Sequence, residues 1–174
     1  ATLFKGKGDL VLTGSLGDVM KESAAIALGH IKSHAKEYKI DLSKLDNLCI
    51  HINAIEGAVP KDGPSAGVTM TTAIISSLTG RKVKANIGMT GEITLRGLVY
   101  PIGGLREKSI AAHRSGLKTI LIPFENQLDI ELVIASYVVV KNGDDISVVY
   151  LQSTQKTNTL SAISYNTIPK EETV

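Results

Sequence analysis

Apolar positions recur along this chain at two periods, and the switches between them mark its elements. Leu10, Val11 and Leu12 form a short apolar run that reads as a strand, and Thr13-Gly14-Ser15 turns the chain. Ser15, with Asp18 three residues on, predicts a helix start. Leu16, Val19, Met20, Ala24, Ala27, Leu28, Ile31, Ala35 and Tyr38 then follow a helical spacing with one narrow face. Its alanines and Gly29 suggest close packing on a sheet. Residues 41–47 are a polar connection, and residues 48–55 read as a strand. Residues 56–67 hold two prolines and three glycines, a loop of fixed and unusual shape. Beyond it Val68, Thr71, Thr72, Ile75 and Leu78 recur at three- and four-residue steps, predicting a second helix. A strand follows over 86–90, a turn and hairpin over 91–97, and a strand over 98–100 that pairs back. Pro101-Ile102-Gly103-Gly104 stops that strand. A helix is expected over 105–115, closed by Gly116. Residues 118–123 read as a strand, 125–134 as a short helix, and 137–140 and 146–150 as two further strands.

Strands alternating with helices indicate an α/β (α+β) fold: one domain of mixed sheet with packed helices over residues 1–152. Residues 153–174 turn to Ser, Thr, Asn, Gln and charge, with Leu160 and Ile163 as their main apolar anchors, and read as a mobile polar tail. The 174 residues are 43% hydrophobic, enough for a sizeable core, and there is no Trp, so that core is aliphatic. A net charge of +2 gives no nucleic-acid footprint. Cys49 is the single cysteine, which excludes an internal disulfide framework and a cysteine-rich zinc site. No apolar run reaches the roughly 18 residues of a membrane span, and the start carries no signal-peptide pattern. The chain opens on a strand-like segment, as a piece of a longer protein would.

The candidate chemistry lies at the mouth of the second helix. Ser65 sits where backbone N–H groups lack intrahelical partners and negative charge is favoured. A hydroxyl there ordinarily caps the helix. A hydroxyl held there could also attack a carbonyl, with nearby amides stabilising the oxyanion. A nucleophilic serine needs a base. His51 and His113 are the usual type of candidate. Lys108 is the unusual one: it follows a double glycine and shares a helix face with Leu105, Ser109 and Ala112, where burial could keep its amine neutral. Being neutral near pH 7 requires about 4 kcal/mol against the charged form. Thr90, at a strand end, could hold the amine in place. His30 and His34 are four apart, as metal ligands on one helix face can be. Both fall outside the apolar stripe and no third ligand is near, so a solvated face is the better reading.

Three motifs in order make a resemblance specific: P-K-D-G-P-S-A-G at 60–67, M-T-G-E-I-T-L-R-G at 89–97 and P-I-G-G-L-R-E-K at 101–108. Together they resemble the proteolytic domain of the Lon proteases, of the bacterial and mitochondrial type. The likeness runs from about Gly6 to Asn126, with G-S-L-G at 14–17 and I-P-F-E-N at 122–126 as lesser landmarks. It implies a serine endopeptidase of unfolded or damaged polypeptides, with Ser65 as nucleophile and Lys108 as general base. Thr90 matches the threonine that hydrogen-bonds the lysine. Asp62, Gly63 and the backbone through Ser65 match the loop shaping the oxyanion hole, and Glu92 is a further supporting position. Asn53 departs from the pattern, standing where related sequences often carry a second histidine after the one matching His51. Nothing matches G-x-x-x-x-G-K-[ST]. The resemblance therefore implies no cofactor in this chain and an ATPase module, with its ATP and magnesium, elsewhere in a full-length protein. It also implies a homohexamer without membrane or nucleic-acid partners, in the cytoplasm or the mitochondrial matrix.

Three other readings share parts of the pattern. Residues 63–67 fit the G-x-S-x-G nucleophile elbow of α/β-hydrolases, but Pro60 and Pro64 interrupt the strand that motif requires. A Gly-rich loop opening a helix also suits a phosphate-binding module, though no magnesium-binding carboxylate cluster is evident. In a non-catalytic assembly domain Ser65 would be a helix cap alone.

Overall fold

The computed structural model describes residues 1–129, 147–153 and 160–167. One sheet has the order β1-β3-β2, built from β1 (Thr2–Lys5), β2 (Leu10–Thr13) and β3 (Leu48–Asn53). β1 lies antiparallel and β2 parallel to β3. Between β2 and β3 run α1 (Asp18–Ser33), α2 (Ala35–Tyr38) and α3 (Leu42–Leu45). A 3-10 turn (Pro64–Ala66) then leads into α4 (Gly67–Thr79). A second sheet contains β4 (Ile87–Met89), β7 (Thr119–Pro123), β8 (Ser147–Ser153) and β9 (Leu160–Thr167), in that order. The first three are parallel and β9 is antiparallel to β8. A two-stranded antiparallel ribbon, β5 (Glu92–Ile93) with β6 (Val99–Tyr100), precedes α5 (Leu105–Arg114). The fold is thus of the expected α/β class, with the described strands divided among three sheets.

The core is aliphatic. Ala24, Ala27, Leu28 and Ile31 of α1 pack with Met70 and Ile74 of α4, Ile50 and Ile52 of β3, and Ile93 of β5. Ile31 and Ile74 are wholly buried, each contributing about 1.5–3 kcal/mol of transfer free energy. Gly67 is required here: a Cβ would stand 2.9 Å from the Ile93 amide nitrogen and 3.1 Å from Ser23 Oγ. Val68 and Val99 with Met89 and Leu121 form a smaller cluster, and Leu105, Ile120 and Ile122 a third. These clusters fix α4, the β5–β6 ribbon and α5 around one point.

Several elements differ from the sequence reading. Ser15 does not cap α1. Its φ is +59°, the N-cap is Gly17, and the Asp62 carboxylate arrives from the distant loop to accept the Met20 N–H (2.9 Å). The expected helix over 16–38 breaks at His34 (φ −114°), where Ser33 Oγ and His34 Nδ1 both bond the His30 carbonyl and compete with the helical ladder. Residues 160–167, read as part of a mobile tail, form β9. Ile163, Tyr165 and Thr167 alternate there with small or polar residues, a strand period inside a polar composition. The remainder of that tail, the strand expected over 137–140 and most of the helix expected over 125–134 lie outside the described residues. Residues 124–126 are a 3-10 turn, and 127–129 are helical.

His30 is the largest departure. The isolated helix pattern puts it on the wet side, yet it is wholly buried. Leu95, in the turn between β5 and β6, folds over it, and the break at His34 brings Tyr38 back to it. Nδ1–H donates to the Leu95 carbonyl (3.1 Å), leaving Nε2 to accept the Tyr38 hydroxyl (2.7 Å). Burial, chiefly, lowers the His30 pKa below 6.5. The folded state therefore holds its proton less tightly than the unfolded state. This group's stabilisation is complete above the unfolded value and is lost as pH falls through the depressed folded value. Denaturant unfolding at about pH 7 and pH 5 is expected to show a loss of stability on acidification that shrinks in His30→Gln. An unchanged slope in the variant would place the acid sensitivity elsewhere. Among the described residues no His, Cys, Asp and Glu side chains group to hold a metal ion, and no helix is long and apolar enough to cross a membrane.

Candidate active site

Ser65 lies on the 3-10 turn that opens α4, and each residue before it is tied down. The Asp62 carboxylate takes the Met20 and Gly63 amides through one oxygen (2.9 Å each). Gly63, at φ +121°, turns the chain in a conformation disfavoured for other residues. Ser23 Oγ, from α1, donates to the Pro64 carbonyl (3.2 Å). The Ser65 carbonyl accepts the Gly91 amide (2.8 Å) and the Thr90 hydroxyl (3.1 Å). The Val68 amide returns to the Gly91 carbonyl (3.1 Å). Gly91 has no room for a side chain: a Cβ would meet Val99 at 2.7 Å and Val68 at 2.9 Å.

The Ser65 hydroxyl caps neither the turn nor α4. Their N-caps are Gly63 and Ala66, and neither makes a side-chain capping bond. Ser65 Oγ instead accepts from Lys108 Nζ at 3.0 Å. Lys108 lies in the first turn of α5, whose N-cap Gly104 has φ +68°. Its Nζ also donates to the Gly103 carbonyl (3.0 Å), on the double glycine just before the helix. Burial lowers the Lys108 pKa below its ordinary 10.5. A neutral amine reverses the polarity of its contact with serine: the hydroxyl donates and nitrogen accepts. At 3.0 Å such a contact is within the reach a proton transfer from Oγ to Nζ requires.

Other expected positions fall differently. Thr90 is buried but bonds the Ser65 carbonyl, not the Lys108 amine, because the β4 end that carries it lies against the turn. Asp62 turns away to cap α1. The Gly63 amide, in the loop expected to shape the oxyanion hole, is occupied by Asp62, and the Gly67 and Val68 amides beyond Ser65 are occupied by Pro64 and Gly91. Glu92 is on β5, opposite Tyr100, and its carboxylate reaches neither Ser65 nor Lys108. His51 Nε2 bonds Thr13 Oγ1 (2.9 Å), whose own proton goes to Asn53 (3.0 Å), across the first sheet.

Asn126 has a positioning role that the sequence reading missed. Its side chain mimics a strand partner for Ile102, accepting from the Ile102 amide and donating to the Ile102 carbonyl (2.9 Å each). Its Nδ2 also donates to Asp129 (2.7 Å). These bonds brace the segment that delivers Gly103 and α5. The one signal was an asparagine closing I-P-F-E-N, with nothing in the spacing to name a partner 24 residues earlier.

An α/β domain that brings a lysine amine to a serine hydroxyl at a helix mouth has the layout of a hydrolase site. The profile of the Lon protease (S16) C-terminal proteolytic domain matches residues 1–156. The chain belongs to this family, as its proteolytic domain. It is 60% identical over 131 residues to the Lon protease of Desulfosudis oleivorans, covering 75% of this chain and 16% of that protein. It is 62% identical over 128 residues to the Lon protease of Mycoplasma mycoides, covering 74% and 16% respectively. With Lon protease 1 of Bacillus subtilis it shares 58% over 130 residues, 75% of this chain and 17% of that one. The chain thus spans about a sixth of the length of the curated relatives it matches.

Proposed function

We propose that this domain cleaves peptide bonds with a Ser65–Lys108 dyad, as the serine endopeptidase part of an ATP-dependent protease of unfolded or damaged polypeptides. The observation that carries the reading is the 3.0 Å contact between Lys108 Nζ and Ser65 Oγ, with an amine whose charged form is disfavoured by burial. Neutral Lys108 takes the hydroxyl proton as Oγ bonds to the substrate carbonyl carbon. The oxyanion is stabilised by the backbone amide of Ser65 at the helix mouth. The tetrahedral adduct collapses, the C–N bond breaks, and the Lys108 ammonium gives its proton to the leaving amine. Water then attacks the acyl ester, Lys108 takes its proton, and Ser65 recovers it as the acid product leaves.

The chemistry proposed uses this chain's side chains and no cofactor. The length of the relatives leaves room for the ATPase module, which would bind ATP and magnesium and deliver unfolded chains. A homohexamer in the cytoplasm, or in the mitochondrial matrix, completes the proposal. A peptidyl fluorophosphonate tests the site itself. Intact mass and peptide mapping are expected to show one adduct, on Ser65, lost in Lys108→Met. Adducts at other serines, or none at Ser65, would overturn the assignment.

A further inference from the structure

Lys61 is a second lysine close to the nucleophile in sequence, and the mechanism above does not use it. Its half-buried ammonium group faces three main-chain carbonyls: Glu56 (2.6 Å), Val59 (2.9 Å) and Gly14 (3.3 Å). These are charge-assisted bonds, stronger than neutral ones, and three acceptors match the three donors of an ammonium. Among the described residues no carboxylate pairs with it. The Glu56 carbonyl is the hub, accepting the Val59 amide as well (2.9 Å). Glu56 itself is at φ +63°, a conformation that costs a non-glycine residue free energy and persists only where its surroundings enforce it. Ile55 and Val59, at 80% and 53% exposed, give the loop almost no apolar anchorage. The ammonium group therefore takes the place of a core for residues 54–60.

The main chain of Lys61 joins this loop to the rigid part of the molecule. Its amide donates to the Ser15 carbonyl (2.9 Å), and its carbonyl accepts the Gly17 amide (2.8 Å). Asp62 follows, with its carboxylate on α1. A Cβ at Gly17 would overlap the Asp62 carboxyl group, so the two segments are in direct contact. Ser65 is four residues from Lys61. The alignment of its hydroxyl with the α5 amine depends on where residues 61–64 enter the turn.

We propose that Lys61 is a positioning residue for Ser65: its ammonium group ties the carbonyls of residues 14, 56 and 59 into one knot that sets the path of the chain into the 3-10 turn. The inference rests on Ser65 being the nucleophile. Without the ammonium group, residues 54–60 lose their organising centre, and the turn samples positions in which Oγ and Nζ are out of line.

The test replaces Lys61 while keeping its length, in the full-length protease assayed with a fluorogenic peptide. Lys61→Met is expected to lower kcat by about tenfold to a hundredfold, the scale of an ångström's misplacement, with KM within about twofold. Amide hydrogen exchange over residues 56–63 is expected to rise while the thermal midpoint stays close to wild type. Rescue separates charge from packing. Lys61→Cys alkylated with 2-bromoethylamine regains an ammonium group at lysine's reach, and is expected to recover kcat. The same variant alkylated with 2-bromoethanol has the length without the charge, and is expected to stay slow. Cys49 is buried and is the one other cysteine of the domain. An unchanged kcat in Lys61→Met, a change confined to KM, or equal rescue by the neutral adduct would each overturn the proposal. Failure of wild type to cleave or to label at Ser65 would instead overturn the proposed function beneath it.

Discussion

Ser65→Ala is expected to lower peptide turnover by a factor on the order of 10⁴ or more, leaving what binding and oxyanion contacts alone can supply. Oγ is the atom proposed to bond to the substrate, and no other hydroxyl shares its contact with Lys108 Nζ among the described residues. A factor of that size is about 5.5 kcal/mol of transition-state stabilisation. The fold is expected to survive. The structural bonds at position 65 come through its carbonyl, to Gly91 and Thr90, and alanine keeps that carbonyl. Since Oγ caps no helix, the cost of about 1 kcal/mol usual for losing a serine cap is not expected either. Steady-state cleavage and a thermal midpoint measured together check both halves. Normal cleavage by this variant would remove the peptidase assignment from Ser65 and return the phosphate-binding or assembly readings.

Lys108→Met is expected to lower turnover by a factor on the order of 10³ or more, since a serine hydroxyl without a base is a weak nucleophile. Methionine fills much the same volume and deletes the amine. The fold is expected to hold or to gain stability. Burial makes the charged amine unfavourable in the native state, and an apolar side chain does not meet that cost. Serine and lysine act as one unit, so the double variant is expected to be no slower than the slower single variant. Near-normal turnover in Lys108→Met would place the base elsewhere, with His51 and His113 next to test. His51 is committed to Thr13 in the first sheet, which counts against it.

The two central residues were legible because the motifs around them, at 60–67 and 101–108, resemble those of a known proteolytic domain; by position alone Ser65 read as a helix cap and Lys108 as one of three candidate bases. The residues themselves are 43 positions apart, and no spacing rule brings them together. That contact follows from the packing of α4 and α5 around the β4–β5 junction. What sequence reading missed has a common physical origin: side chains whose partners come from far along the chain. His30 looked wet because the helix pattern cannot see Leu95 closing over it. Asp62 was placed in the site loop by the motif it belongs to, and its bond to the Met20 amide, on another element, was not legible. Thr90, matched by motif to the threonine that bonds the lysine, donates here to the Ser65 carbonyl. Asn126 and Lys61 were read as parts of motifs and given no role of their own. Strand β9 was hidden by polar composition, which masks a period of two.

The most direct test of the dyad is the pH dependence of kcat/KM for a small fluorogenic peptide, with the protein shown to stay folded throughout. The base works as the neutral amine, and its pKa lies below the ordinary 10.5. As pH rises through that depressed value, the neutral fraction grows and the rate grows with it. The account predicts log kcat/KM climbing with unit slope through a single ionisation and then levelling, with activity greatest above neutrality. A rate that is flat between about pH 6 and 9, or a rise that persists in Lys108→Met, would contradict it.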